Sequence, residues 1–127
     1  MLLFAAWMLV ALGFAHVVFG LVRFQAPLRD ALADGLVGAF MHSDTRRLTF
    51  WFILVGPLLV LIGQVALRAI ATGDLGLIKT IGWYLFGACA LGVLAFPRSP
   101  MWLLLPPSAI FMAAGFGWIA AKAGTAA

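Results

Sequence analysis

The sequence predicts an all-α integral membrane protein: an antiparallel four-transmembrane-helix bundle with one interfacial amphipathic helix in the first loop. Three observations carry this expectation. Mean hydropathy is +1.15, and 65% of the residues are hydrophobic against 9% charged, where soluble domains carry about a quarter charged. The apolar residues gather into four runs of spanning length, near 2–22, 48–67, 77–96 and 101–121. Between the first two runs lies a shorter, charged segment with helical periodicity. The chain, 1–127, therefore reads as a single membrane domain.

Leu2–Val22, LLFAAWMLVALGFAHVVFGLV, holds 21 residues without a formal charge, and His16 is its one ionisable side chain. At 1.5 Å per residue the run rises ~31 Å, enough to cross the hydrocarbon core. It has neither the basic n-region nor the short apolar core of a secretory signal, which predicts an uncleaved span. After Arg23, Pro27 opens a different segment. Leu28, Ala31, Leu32, Gly35, Leu36, Ala39 and Phe40 share one helical face, and Arg29, Asp30 and Asp34 lie off it. This predicts an amphipathic helix over about 28–41 in the headgroup plane, with Leu28, Leu32, Leu36 and Phe40 turned inward.

Ser43 or Asp44 caps the second span, and Arg46 and Arg47 mark where it starts at the interface. Pro57 falls near its middle, where proline removes one backbone hydrogen bond and pushes aside the carbonyl of Ile53. Arg68 closes this span, and 71–76 form a turn. In the third span Lys79 sits near the start, able to snorkel to the surface. Residues 96–100, FPRSP, are a stop, and the last span carries Pro106-Pro107 in its first half and Lys122 at its end. Trp7, Trp51, Trp83, Trp102 and Trp118 lie nearer span ends than centres, as in an aromatic belt. Small residues form stripes that let helices approach: Gly13 and Gly20, Gly56 and Gly63, Ala88 and Gly92, then Ala109, Ala113 and Gly117.

Eight Lys and Arg stand against four Asp and no Glu, a net charge of +4. With no soluble basic face to follow phosphates, this charge suits anionic headgroups and makes nucleic acid an unexpected partner. Membrane lipids are the expected partners, with a homo-oligomer or a larger membrane complex left open. Arg23, Arg29, Arg46, Arg47 and Arg98 fall on one side of the spans; Arg68, Lys79 and Lys122 fall on the other. Five against three places both termini outside the cytoplasm. Cys89 is the lone cysteine and reads as a buried, inert thiol.

An ionisable residue inside a span is a candidate site. Counting from each span's centre, His16 lies ~6 Å, the Ile53 carbonyl ~7 Å, Cys89 ~4 Å and Ser108 ~4 Å toward the first-loop side, so four polar groups share one level. Tyr84 and Gln64 form a weaker level at ~4 Å and ~9 Å on the opposite side. Two roles for His16 follow. As a structural tie, the neutral ring donates to the Ile53 carbonyl or the Ser108 hydroxyl. As a functional group, it carries a proton or contacts a ligand in a small cavity.

The spans hold no carboxylate, so a nucleophilic triad built on Ser108 or Cys89 is not expected. The balance leans away from an enzyme. His16 remains the candidate acid or base for a lipophilic substrate, with Tyr84, Arg46 and Arg47 holding a polar head. The candidate ligand set is thus His16, Ser108, Cys89, Tyr84, Arg46 and Arg47. No cofactor is required. Haem would need His16 from two copies, or His16 with Met8 or Met112, and His42 with Asp44 is too sparse for a metal site. The cluster His42, Ser43, Asp44, Arg46 and Arg47 reads as a capped helix start or, alternatively, as a headgroup or anionic-ligand site.

His16-x-x-x-Gly20, the polar loop ending in Arg47, Phe50-Trp-Phe52, Gly56, Gly63, Gly82-Trp83, Pro97 and Trp102 together resemble an uncharacterised family of small bacterial four-span membrane proteins. The resemblance covers most of the chain. It implies a bacterial inner-membrane protein of unknown function and brings no catalytic residue. On these grounds the first expectation is a non-enzymatic structural or accessory subunit acting through helix packing. The alternatives are a small membrane enzyme or binding protein for a quinone, terpenoid or sterol-like ligand using His16, and a haem-binding dimer.

Overall fold

The computed structural model describes residues 1–119, whose regular elements are all helical, without a strand. We number the α-helices α1 (Leu2–Arg23), α2 (Gln25–Ala33), α3 (Asp44–Thr72), α4 (Leu75–Ala95) and α5 (Leu105–Gly115), with short 3-10 segments at Ala39–Met41 and Pro100–Leu104. Three of them, α1, α3 and α4, are long and apolar enough to cross a membrane. The chain divides into two compact units, Ala11–Leu61 and the remainder, so that α1 and α3 each contribute to both.

Within Ala11–Leu61, α1 and α3 run antiparallel in backbone contact. A Cβ on Gly13 would stand 2.6 Å from the Gly56 carbonyl oxygen, and one on Gly56 would stand 2.8 Å from the Gly13 carbonyl oxygen and collide with Val17. Only glycine on both sides allows this approach. Gly20 makes similar room for Phe52 and Ile53. The helix α3 passes through Pro57 without a break.

In the other unit Gly63 meets Ala6 and Val10 in the same manner. There α4 lies antiparallel to the last segment: Gly92 abuts Met101, Gly82 abuts Phe111 and Met112, and Gly115 abuts Lys79. Ile78, Gly82, Leu85 and Cys89 are the buried face of α4, opposed by Pro107, Ser108, Phe111 and Ala114 of α5. Of the expected stripes, Gly92 is at the contact, whereas Ala88 and Ala109 are exposed.

Three expected boundaries are corrected, each at a glycine in the same role. The segment 28–41 is not one amphipathic helix, because α2 stops at Ala33. Gly35 takes φ +90, its N–H donates to the Leu32 carbonyl, and the Leu36 N–H donates to the Ala31 carbonyl. That pair of bonds is a Schellman cap. Leu36 then adopts φ +65, and Leu32 and Leu36 are both exposed on the protein surface. Gly117, at φ +74, ends the last helix likewise, with Gly117 donating to Ala114 and Trp118 to Ala113. The fourth expected span is therefore a 3-10 turn followed by 11 α-helical residues; its expected end at Ala121 and Lys122 lies outside the described residues. Pro106 and Pro107 fit the first turn of α5, where their missing N–H groups would have no partner.

The third correction concerns α3, which runs on past Arg68 to Thr72, where Gly73 forms a further cap of this kind. Its other end starts at Asp44, because the Ser43 hydroxyl accepts from the Arg46 N–H at 3.2 Å.

Replacing Gly56 by Val is expected to force α1 and α3 apart and cost about 1–3 kcal/mol. A Cβ on Gly87 meets nothing within 4 Å, so Gly87→Ala should be neutral or stabilise by up to about 1 kcal/mol. Denaturant titration of the detergent-solubilised protein, followed by helical circular dichroism, compares the two.

Candidate functional site

The half-buried His16 lies on α1 one turn before Gly20, in the stretch where α1 packs on α3. Its ring stacks on Phe52, with centroids 4.1 Å apart and planes 16° from parallel. Phe19 and Phe24 complete the cluster, at 6.0 Å and 5.2 Å from Phe52. The imidazole comes near the main-chain carbonyl of Phe52, yet Nε2 is shielded from solvent and has no hydrogen-bond partner among the described residues. Nε2 therefore does not make the expected donation to the Ile53 carbonyl. Gly20 provides the space in which Phe52 turns toward His16, so the imidazole meets both the ring and the main chain of Phe52.

The other members of the expected level belong to the second unit. Ser108 is buried and donates to the Leu105 carbonyl one turn back on its own helix at 2.8 Å. Cys89 is buried on α4. The register of α4 on α5 sets Ser108 across from Leu85, about one helical turn, ~6 Å, from Cys89. These two residues therefore do not share a level. Tyr84 is 78% exposed and turned away from the α5 contact, and Gln64 is exposed as well. Lys79 is half-buried rather than free to reach outward: its stem packs against Gly115 and its ammonium sits 3.8 Å from the Phe116 ring centroid.

The loop between α2 and α3 holds the denser polar arrangement. Arg46 donates to Asp34 at 2.7 Å and to the Ala39 carbonyl at 3.1 Å, and faces His42 Nδ1 at 3.3 Å. Its side chain is only 15% exposed. The guanidinium thus clamps both halves of the loop to the first turn of α3. Arg46, beside Asp34, holds that carboxyl below its ordinary value, with His42 adding to the effect. The adjacent Arg47 is different: it has only an exposed pair with Asp44, at 3.3 Å. It lines a pocket of about 430 Å³ with Gly38, Phe40, Met41, Phe50 and Trp51. Phe40, Phe50 and Trp51 form a chain of tilted and edge contacts at 5.6 Å and 5.4 Å.

The sequence reading treated Arg46 and Arg47 alike and did not single out Asp34, Phe50 or Trp51 for this site. A signal was present in the spacing Arg47, Phe50, Trp51, which is one stripe of a helix. Phe52, the partner of His16, had no comparable signal, because the pair joins positions far apart in the chain.

A model of the family of unknown function DUF6463 matches residues 3–117. The chain belongs to that family. The match to DUF6463 ends at Gly117, the residue that caps the last helix, and agrees with the resemblance to an uncharacterised family. No curated protein and no solved structure matches the chain.

Two predictions follow from this geometry. Phenylalanine at position 16 keeps the stack and removes the unpartnered nitrogen, whose desolvation costs about 1–3 kcal/mol. His16→Phe should therefore be at least as stable as the parent, whereas His16→Ala, which leaves a void against Phe52, should lose about 1–3 kcal/mol; thermal unfolding in detergent ranks the three. The second prediction concerns acid. Since Asp34 has a lowered pKa in the folded loop, its contribution is complete above the ordinary carboxylate value of ~4 and disappears as pH falls through the lower folded value. A nitroxide attached through Val37→Cys should show unchanged mobility from neutral pH down to ~5 and a more mobile spectrum only in stronger acid. Asp34→Asn should give the mobile spectrum at neutral pH.

Proposed function

We propose that this protein is a multi-pass component of the bacterial inner membrane, and that it works as a non-enzymatic structural or accessory subunit through the outer faces of its helices. The carrying observation is how its apolar residues are divided. Glycine and alanine let the helix backbones approach, and Leu9, Ile78, Leu85 and Phe111 are buried, while Phe4, Trp7, Phe14, Leu58, Leu61 and Leu91 remain exposed. Large apolar side chains turned outward suit lipid or another apolar helix. Beyond Asp44, at its first residue, α3 has no carboxylate, and α1, α4 and α5 have none. His16 is half-buried with one ring face on Phe52, and no carboxylate accompanies it in these helices.

In this reading α1, α3 and α4 cross the membrane, and Pro100–Gly115 is the fourth crossing. Five 3-10 residues and 11 α-helical ones rise ~26 Å, slightly less than a typical hydrocarbon core. The helix α2 and the loop after it lie at the surface, on the cytoplasmic side, with both termini outside; the excess of arginine in the first and third loops supports that orientation.

The test is native mass spectrometry of the protein extracted from its own membrane, after crosslinking in place. A second copy or a stoichiometric partner is expected. A strictly monomeric species with no crosslinked partner would remove the basis for the reading.

One observation favours a second reading, a binding protein for a quinone or a similar lipophilic carbonyl compound: Nε2 of His16 has no partner among the described residues, and a carbonyl could supply one. Binding would require Phe52 to move off the imidazole. Loss of a co-purifying ligand in His16→Phe, with the fold intact, is the result that this reading requires.

A further inference from the structure

We propose that the pocket beside Arg47 is a binding site for one anionic phospholipid, with the phosphate held by Arg47 and the start of an acyl chain lying against Phe50, Trp51 and Met41. The inference rests on the reading that α3 crosses a membrane, and it adds to that reading a specific lipid and a specific residue.

The first ground is the order of groups along the helix. Arg47, Phe50 and Trp51 form an i, i+3, i+4 stripe on α3, so the backbone positions of the two aromatic residues lie ~4.5–6 Å further along the helix than that of Arg47, whose guanidinium reaches back to Asp44. An amphiphile inserted from the surface meets cation first and apolar wall second, which is the order of a phospholipid's own groups. A soluble anion would have no use for the wall. The wall is almost wholly apolar, made of glycine, methionine, aromatic carbon and the stem of Arg47, the one charged residue of the six. The volume of about 430 Å³ falls among small-molecule sites.

The second ground is the difference between the two arginines. Arg46 already serves Asp34, the Ala39 carbonyl and His42 and is largely covered. Arg47 is 58% exposed and its partner Asp44 is 96% exposed, and such a pair contributes little to the fold. A phosphodiester can take the place of Asp44 on the guanidinium, because Asp44 returns to water at small cost and phosphate offers a bidentate acceptor. Met41 is 76% exposed and Trp51 59%; both gain cover when a chain lies between them.

The experiment uses the full chain in nanodiscs of phosphatidylcholine containing about one tenth phosphatidylglycerol, released into native mass spectrometry, with the retained lipid identified by mass. The parent protein should retain phosphatidylglycerol over phosphatidylcholine by about fivefold relative to the nanodisc composition, the worth of one basic residue at an anionic surface. Arg47→Gln should lose that preference, Arg47→Lys should keep most of it, and Arg29→Gln, an exposed arginine outside the pocket, should leave it unchanged. Quenching of Trp51 by brominated phosphatidylglycerol, taken as the difference from Trp51→Phe, gives a second readout that does not depend on gas-phase retention. No preference in the parent, or an equal preference in Arg47→Gln, overturns the proposal. Extraction of the protein from its native membrane by alkaline carbonate would instead overturn the membrane reading beneath it. An inserted protein without lipid preference separates the two failures.

Discussion

The contact between Gly13 and Gly56 is the constraint from which much of the surrounding geometry follows. With no Cβ on either side, the two backbones come close enough for each carbonyl oxygen to occupy the space a side chain would need. Such an approach stabilises through many small dispersion contacts and weak Cα–H···O interactions, without relying on a hydrophobic driving force. Its effect on the neighbours is as important as its own energy. Drawing α1 onto α3 places the next turn of α1 against Phe52, and Gly20 leaves the room that the ring fills. His16 is then met by an aromatic face.

That arrangement changes what an intramembrane histidine signifies in this chain. Position 16 attracted attention because an imidazole in an apolar helix needs a polar partner, and helix depth suggested several. The structure gives it Phe52, whose ring stacks on the imidazole and whose main-chain carbonyl lies nearby. A neutral imidazole is flat and polarisable enough to stack on phenylalanine, and stacking contributes on the order of 1 kcal/mol, comparable to an interhelical hydrogen bond in a membrane protein. Depth along a helix is set by counting residues, whereas partner choice depends on rotation about the axis and on the register of a neighbour. The first quantity can be read from one helix alone. The second cannot, which is why Ser108 and Cys89 shared a level on paper yet sit a turn apart once α4 and α5 are in register.

Helix ends show a related limit. Long apolar runs made α1, α3 and α4 legible, because residue number and hydropathy suffice to identify them. Glycine made α2 and α5 harder to delimit, since one residue type serves two opposed purposes. At Gly13 and Gly56 it lies inside a helix and permits contact; at Gly35 and Gly117 it reverses the backbone and ends a helix. Asp34-Gly35 is a turn-forming dipeptide, so the first of these ends had a local cue that the periodic spacing of Leu28, Leu32, Leu36 and Phe40 concealed. Gly117, between Phe116 and Trp118, had none. The left-handed backbone at Leu36 follows from the same cap: once Gly35 has reversed the chain, the next residue must continue the turn, at a cost of about 1–2 kcal/mol for a side chain with a Cβ.

Arg46 and Arg47 illustrate how a helix assigns different work to neighbours of identical chemistry. Consecutive residues are rotated by about 100° around the axis, so only one of the two can look back at the loop. Arg46 shares its side of α3 with the buried Thr49 and meets the loop residues Asp34, Ala39 and His42. Arg47 shares its side with Phe50 and Trp51 and looks out past them. Withdrawing Arg46 from its partners would leave a carboxylate and a main-chain carbonyl without their donor, a cost that any incoming anion would have to offset. Arg47 carries no such obligation, because Asp44 is almost fully hydrated already. The cation held by the fold and the cation available to a ligand are thus separated by a single residue, and it is the available one that stands above an apolar wall.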